Sequence, residues 1–124
     1  MPGPDPETPT PTEIRLHQKS RYLEIAFSDG KQFSLSFEFL RVYSPSAEVR
    51  GHGPGEEVLQ IGKKDIDIKT LDAVGNYAVQ PLFSDGHESG IYSWDYLYYL
   101  GTNQEKLWKD YLARLAAKGA SRSA

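Results

Sequence analysis

Two stretches of this chain repeat one another, and the repeat constrains the fold more than any other feature. Phe27-Ser28-Asp29-Gly30 returns as Phe83-Ser84-Asp85-Gly86, and Ser36-Phe37-Glu38-Phe39-Leu40 is answered by Ser93-Trp94-Asp95-Tyr96-Leu97. The second pair is spaced one residue wider than the first, so a single insertion separates the copies. Each copy reads as a strand, an Asp-Gly turn in which glycine accepts positive φ, a second strand, and then a serine placed to cap a helix. An acidic residue follows each serine in the first turn, where the helix dipole favours it. The expected class is α+β: an antiparallel β-sheet built around a duplicated hairpin-plus-helix unit, with C-terminal helices.

Alternation supports this reading. Leu23, Ile25 and Phe27 take turns with Glu24 and Ala26, and Phe33, Leu35 and Phe37 continue the pattern beyond the first turn. Ile14 and Leu16 predict a strand ahead of them. Residues 44–55 are rich in Ser, Pro and Gly and read as a long structured loop. Short strands are expected at residues 58–61 and around Ile66 and Ile68, then a turn at 74–77 and a strand at 77–83. Pro81 cannot donate to a ladder, so that strand needs an edge or a bulge there. The helix capped by Ser93 is expected to run to Leu100 and stop at Gly101. A last helix over residues 103–117 sets Leu107, Tyr111 and Leu115, with neighbouring Trp108 and Leu112, along one side. Residues 1–11 hold five of the eight prolines and predict a disordered leader. The domain proper is expected over 12–117, with 118–124 as a frayed tail.

Composition excludes several functions. The net charge of −3 gives no electrostatic footprint for nucleic acid. The absence of cysteine removes disulfides, thiolate metal sites and thiol nucleophiles at once, and suits a reducing cytoplasm, the expected location. No apolar run has the length of a membrane span.

No motif marks a catalytic residue. His17, His52 and His87 lack the spacing of a zincin helix or a facial iron triad, although three scattered histidines can in principle converge on one metal. No Gly-x-Ser-x-Gly elbow is present. The glycine-rich residues 51–55 lack the Lys-Ser/Thr of a phosphate loop and read as a turn. Tyr92, Trp94, Tyr96, Tyr98 and Tyr99 have the composition of an aromatic cage, but Trp94, Leu97 and Tyr98 share one helical face, which is core spacing. Asp29 and Asp85 sit where Asp stabilises turns.

Two longer strings resemble a known family. They are Leu40-Arg41-Val42-Tyr43-Ser44-Pro45-Ser46-Ala47-Glu48-Val49, followed by Gly51-His52-Gly53-Pro54-Gly55, and Val74-Gly75-Asn76-Tyr77-Ala78-Val79 with residues 83–97. They are similar to the bacterial DUF971 family, the gamma-butyrobetaine hydroxylase-like N-terminal domain. The resemblance implies a small mixed α/β domain. In carnitine-pathway dioxygenases this domain precedes the catalytic barrel and holds zinc through three cysteines and a histidine. Laid on this chain, that pattern puts Ser44, Ser46 and Val49 at the cysteine positions and His87 at the histidine. Serine is a poor zinc ligand and valine is none, so a family-type zinc site is not expected. The alternative is a weak zinc or iron site at His87, helped by His52, Glu48 or Glu88. With no barrel motif, no enzymatic activity is expected. Similar domains are fused to Mrp-like ATPases that carry iron–sulfur clusters. The resemblance therefore implies an accessory or interaction module with a protein partner from iron or iron–sulfur systems, and neither nucleic acid nor membrane. The expected interaction surface comprises Ser44, Ser46, Gly51, His52, Gly53, Asp85, His87, Tyr92 and Trp94.

Overall fold

The duplication in the sequence is a duplication in the backbone. The computed structural model describes residues 8–51 and 58–123. The first copy forms β1 (Pro11–His17), β2 (Tyr22–Phe27), β3 (Gln32–Ser36) and α1 (Phe37–Val42). A single helical turn, α2 (Ala47–Arg50), follows. The second copy forms β4 (Ile68–Val74), β5 (Ala78–Phe83), β6 (Tyr92–Ser93) and α3 (Trp94–Thr102), and α4 (Gln104–Lys118) completes the chain. Each copy makes its own antiparallel sheet, in the orders β1-β2-β3 and β4-β5-β6.

The two turns match bond for bond. Phe27 N donates to Lys31 O at 2.8 Å and Phe83 N to His87 O at 2.9 Å. Ser28 N donates to Thr10 O, and Ser84 N to Asp67 O, both at 2.8 Å. Gly30 and Gly86 have φ of +89° and +88°, a conformation that costs glycine little. Ser36 Oγ accepts from Phe39 N at 3.0 Å and Ser93 Oγ from Tyr96 N at 3.2 Å, so both helices begin on the expected caps.

The turn carboxylates then cross between copies. Asp29 Oδ2 accepts from the Tyr98 hydroxyl on α3 at 2.6 Å, while Asp85 Oδ2 accepts from Arg41 Nε on α1 at 2.9 Å. Arg41 and Tyr98 occupy the same position after their capping serines. The two halves thus clasp each other reciprocally, as the partners of an isologous dimer do. One core runs through both, with Leu23, Ile25 and Leu35 from the first sheet, Phe37 and Leu40 from α1, and Ile68, Phe83, Leu97 and Leu100 from the second copy. Val42, Tyr111 and Leu115 form a smaller cluster that docks α4.

Several expectations need correction. The leader expected over residues 1–11 does not reach that far: Pro11 opens β1, and Thr10 N donates to Ser28 Oγ at 3.2 Å. Residues 1–7 of that leader lie outside the described residues. Residues 58–61 form no ladder; Val58 N bonds Val49 O, Gln60 O accepts from the Tyr111 hydroxyl, and Val58 and Ile61 are exposed. Ile66 precedes β4 rather than joining it. The loop expected at 44–55 contains α2, capped by Ser46. Gly101 does not stop α3 but lies inside it, where a Cβ would come within 2.4–2.7 Å of the Phe33 ring. Leu112 faces solvent, not the core. The edge expected at Pro81, by contrast, is present: Pro81 pairs with Leu71 on one side and lies beyond the end of β6 on the other, while β4 carries the bulge.

The tail expected to fray is also anchored. Gly119, at φ +63°, closes α4, with Gly119 N donating to Ala116 O and Ala120 N to Leu115 O. Beyond it Ser121 O and Arg122 O accept from Gly62 N and Lys64 N. The Arg122 guanidinium forks onto Glu38 at 2.9 and 2.7 Å and lies 5.2 Å from the Trp108 ring centroid. Glu38 is buried, so its carboxylate depends on that fork.

Two substitutions test this packing. Arg122→Ala is expected to destabilise the fold by about 2 kcal/mol in urea unfolding, because it strands a buried carboxylate. Gly101→Ala would gain about 1 kcal/mol of helix propensity in an open helix. Here thermal unfolding is expected to show a net loss of about 1 kcal/mol, because the added methyl overlaps Phe33.

Candidate functional site

The positions singled out by the sequence meet where α1 gives way to α2. Past Val42 the chain turns through Ser44-Pro45-Ser46, and Ser46 Oγ accepts from Glu48 N at 3.2 Å to start α2. Against this turn lies the loop that follows the second Asp-Gly turn. His87 Nε2 meets Ser44 Oγ at 2.8 Å, and His87 Nδ1 meets Glu48 Oε2 at 3.2 Å. Ser46 Oγ and Ser89 Oγ are 2.7 Å apart, and Ser46 N donates to Ser44 Oγ at 3.3 Å. Gly90 makes this approach possible: a Cβ there would sit 2.4 Å from Ser44 Oγ. The Tyr92 hydroxyl, donating to Leu40 O, ties the same loop to α1.

Asp85 organises the charges. Its Oδ1 accepts from His87 N at 3.1 Å, and its Oδ2 accepts from both Arg41 Nε at 2.9 Å and Lys63 Nζ at 2.7 Å. Burial alone would raise its carboxyl, but Lys63, the His87 amide and Arg41 outweigh that and hold it at about 2. His87 is pushed below its ordinary value, first by burial and then by Arg41, against the opposing pull of Glu48 and Asp85. The ring is therefore neutral at neutral pH. Burial raises the Tyr92 hydroxyl well beyond the usual tyrosine range. Among the described residues, Arg41 Nη1 is buried without a hydrogen-bond partner.

The connectivity Ser44–His87–Glu48 is that of a Ser-His-acid triad, but its setting is not. Ser44 is 1% exposed, and Gly90 presses on its Oγ, which leaves no approach for a substrate carbonyl. The Glu48 side chain, by contrast, is 72% exposed, so the acid is not held in a desolvated position. Nor do these residues fit the zinc of the family pattern. Val49 offers no donor, the two hydroxyls are poor ligands, and both ring nitrogens of His87 are already engaged. The nearby Arg41 guanidinium adds positive charge to the same spot. Among the described residues, no group of three or more His, Cys, Asp or Glu side chains is close enough to hold an ion.

The expected interaction surface divides under this geometry. Ser44, Ser46, His87 and Tyr92 come together but are buried, so they brace the loops from beneath rather than offering contact. Val49 is buried beside them. Gly51 ends α2, and Asp85 reaches the rim. Trp94 is elsewhere: its Nε1 donates to Asn76 O at 2.8 Å, beside the start of β1. His52 and Gly53 lie outside the described residues. His17 pairs with Glu24 in the first sheet and stacks on Tyr22, so it does not approach His87. The aromatic series divides: Tyr98 binds Asp29 and Trp94 binds Asn76, whereas Tyr92, Tyr96 and Tyr99 stay in ring contact. Arg41, Lys63, Ser89 and Gly90 were not foreseen. The repeat held the signal for Arg41, since its counterpart Tyr98 follows an equivalent cap.

The family model for the gamma-butyrobetaine hydroxylase-like N-terminal domain matches residues 14–98. The chain belongs to this family. A crystal structure of a DUF971 protein of unknown function from Acidithiobacillus ferrooxidans is 40% identical, with a TM-score of 0.64, over 79% of this chain and 98% of that one. Two proteins with NMR solution structures are 55% and 46% identical, each with a TM-score of 0.81. They match over 96% and 94% of this chain and 89% and 91% of their own. No curated protein matches the chain.

Asp85 gives this family member an acid-sensitive node. Its folded pKa lies below the unfolded value of 3.8, so its contribution is complete above that value and is lost as pH falls toward about 2. Asp85→Asn is expected to cost about 2 kcal/mol at pH 6, measured by urea unfolding. The gap to the native chain should close between pH 4 and pH 2.

Proposed function

We propose that the chain is a non-catalytic accessory domain that acts by binding a protein partner in iron or iron–sulfur chemistry. The observation that carries this reading is the closed network at Ser44, Ser46, His87 and Ser89. Where relatives with cysteines grip an ion, these side chains bond to one another, with Ser44, Ser46 and His87 buried and Ser89 closing the network at the surface. Such a network fixes loop geometry and presents no activated nucleophile. The resemblance supplies the partner class, because similar domains are fused to iron-dependent dioxygenases and to Mrp-like ATPases. The cysteine-free composition suits the cytoplasm. Among the described residues, no helix is long and apolar enough to cross a membrane.

A weak zinc or iron(II) site is the second reading, favoured by the 3.2 Å approach of Glu48 to His87. One experiment separates the two. The tagged full chain is captured from native lysate, its companions are identified by mass spectrometry, and the dialysed protein is assayed for metals. The expected outcome is an iron–sulfur protein, Mrp-like ATPase or oxygenase in the eluate, with metal far below stoichiometry. Stoichiometric zinc or iron that disappears in His87→Ala would overturn the proposal in favour of the metal site. Recovery of no such partner would sink the accessory reading itself.

A further inference from the structure

Beside the Ser44–His87 cluster, a groove of about 570 Å³ runs between the end of α1, α2 and the two C-terminal helices. Its floor is apolar, formed by Val42, Val49 and Leu107. Its walls carry the rings of Tyr43, Tyr96 and Tyr99. The Tyr43 hydroxyl donates to Leu107 O at 2.6 Å and the Tyr96 hydroxyl to Tyr43 O at 2.5 Å, so both rings are fixed and both hydroxyls are occupied. Burial raises Tyr96 to about 12, so it stays protonated and supplies no base. Tyr99 stacks on Tyr96, with centroids 6.1 Å apart and planes 24° apart, yet is 49% exposed. The groove is therefore preorganised for contact and unsuited to proton transfer.

Its charges point to the occupant. Arg50 from α2 and Arg114 from α4 both line it, with Asp110 as the one lining carboxylate among the described residues. Among the described residues neither arginine forms an ion pair. Arg50 acts electrostatically on Tyr96 and Arg114 on Tyr43, which sets a cation near each of these rings. In a chain of net charge −3, this is a local positive concavity walled by aromatic rings. Tyrosine and arginine are the side chains in which binding energy concentrates at protein interfaces, because rings and planar guanidinium forks lose little freedom when they pack.

We propose that this groove receives an acidic peptide segment of the partner protein. An apolar or aromatic side chain of that segment sits on Val42, Val49 and Leu107, and flanking carboxylates pair with Arg50 and Arg114. The inference rests on the accessory-domain reading and names what the domain recognises. A peptide suits the shape better than a small metabolite does. Tyr99, Asp110 and Ala113 line the groove yet remain exposed, so a ligand there would stay partly uncovered, whereas small-molecule sites enclose most of their ligand.

The test uses the ¹⁵N-labelled full chain and an N-acetylated hexapeptide in which leucine and phenylalanine are flanked on each side by two acidic residues. A second peptide replaces every acid by glutamine, and N-acetylglutamate serves as the small-anion control. The expected result is saturable amide shifts centred on Tyr43, Arg50, Tyr96 and Tyr99, with affinity falling as salt rises. Binding should weaken roughly tenfold or more in Arg50→Glu/Arg114→Glu and with the glutamine peptide. The dispersion of the variant's amide spectrum confirms that it is folded. No shift at millimolar peptide, shifts centred elsewhere, or undiminished binding by the double variant would each overturn the groove. Equal affinity for N-acetylglutamate would replace the peptide with a small organic acid. If the double variant still captures the partner from lysate, the groove proposal fails while the accessory reading stands.

Discussion

The carboxylate of Asp85 is the joint on which the candidate site depends. It accepts from Arg41 in the first copy of the repeat, from Lys63 in the connecting segment and from the His87 amide in its own turn. Arg41 is almost wholly buried, and a buried guanidinium is tolerated only where a carboxylate compensates it. The His87 amide bond, in turn, aims the imidazole at Ser44 and Glu48. The path from charge compensation to loop geometry therefore passes through one side chain.

The same joint shows how two equivalent halves came to differ. In the first copy Asp29 meets a neutral donor, Tyr98, at the surface, and the residue after the turn is Lys31, whose amide donates to Asp29 at 3.0 Å. In the second copy the corresponding positions hold buried Arg41 and buried His87. One backbone plan thus carries an exposed, screened contact on one side and a desolvated polar cluster on the other. Electrostatics count for more in the second setting because less water screens them. The reciprocal clasp also explains why the core is shared: each helix must cross to the opposite turn, which carries its apolar face over the boundary between the two sheets.

What the sequence disclosed was local. The Asp-Gly turns, the capping serines and the alternation of β2 and β3 each depend on neighbours a few residues apart, and each formed as read. What it concealed depended on distant partners. Arg122 looked like part of a fraying tail because nothing near it needs a cation; its need arises at Glu38, on another element. Gly101 looked like a stop because glycine often ends helices, while its actual neighbour is Phe33 from the first sheet. The site was half legible. Ser44, Ser46 and His87 could be placed together by resemblance, but their burial could not, since serine and histidine carry no periodic signal when they line a loop. Gly90 shows the same limit: its value lies in the atom it lets approach, not in its own turn.

Holding loops together by hydrogen-bonding side chains rather than by an ion has a physical consequence. A structural zinc ion contributes about 10 kcal/mol or more to holding its loops, whereas each hydrogen bond contributes about 1 kcal/mol. The pairs Ser44–His87 and Ser46–Ser89 cannot match an ion bond for bond. The loops at this site are held by other means as well. Tyr92 anchors one loop to α1, Gly90 permits close packing, and Val49 is buried beside the groove. Hydrogen-bonded clusters are also softer than metal centres, because any one bond can open without releasing the rest. A loop pair held in this way owes its geometry to the number of its contacts rather than to the strength of any one of them. The groove walled by Tyr43 and Tyr96 is stiff by contrast, because two tyrosine hydroxyls pin its sides to the backbone. Hydrogen-bonded loops beside tyrosine-pinned walls thus set the geometry of this end of the domain through many weak contacts rather than one strong one.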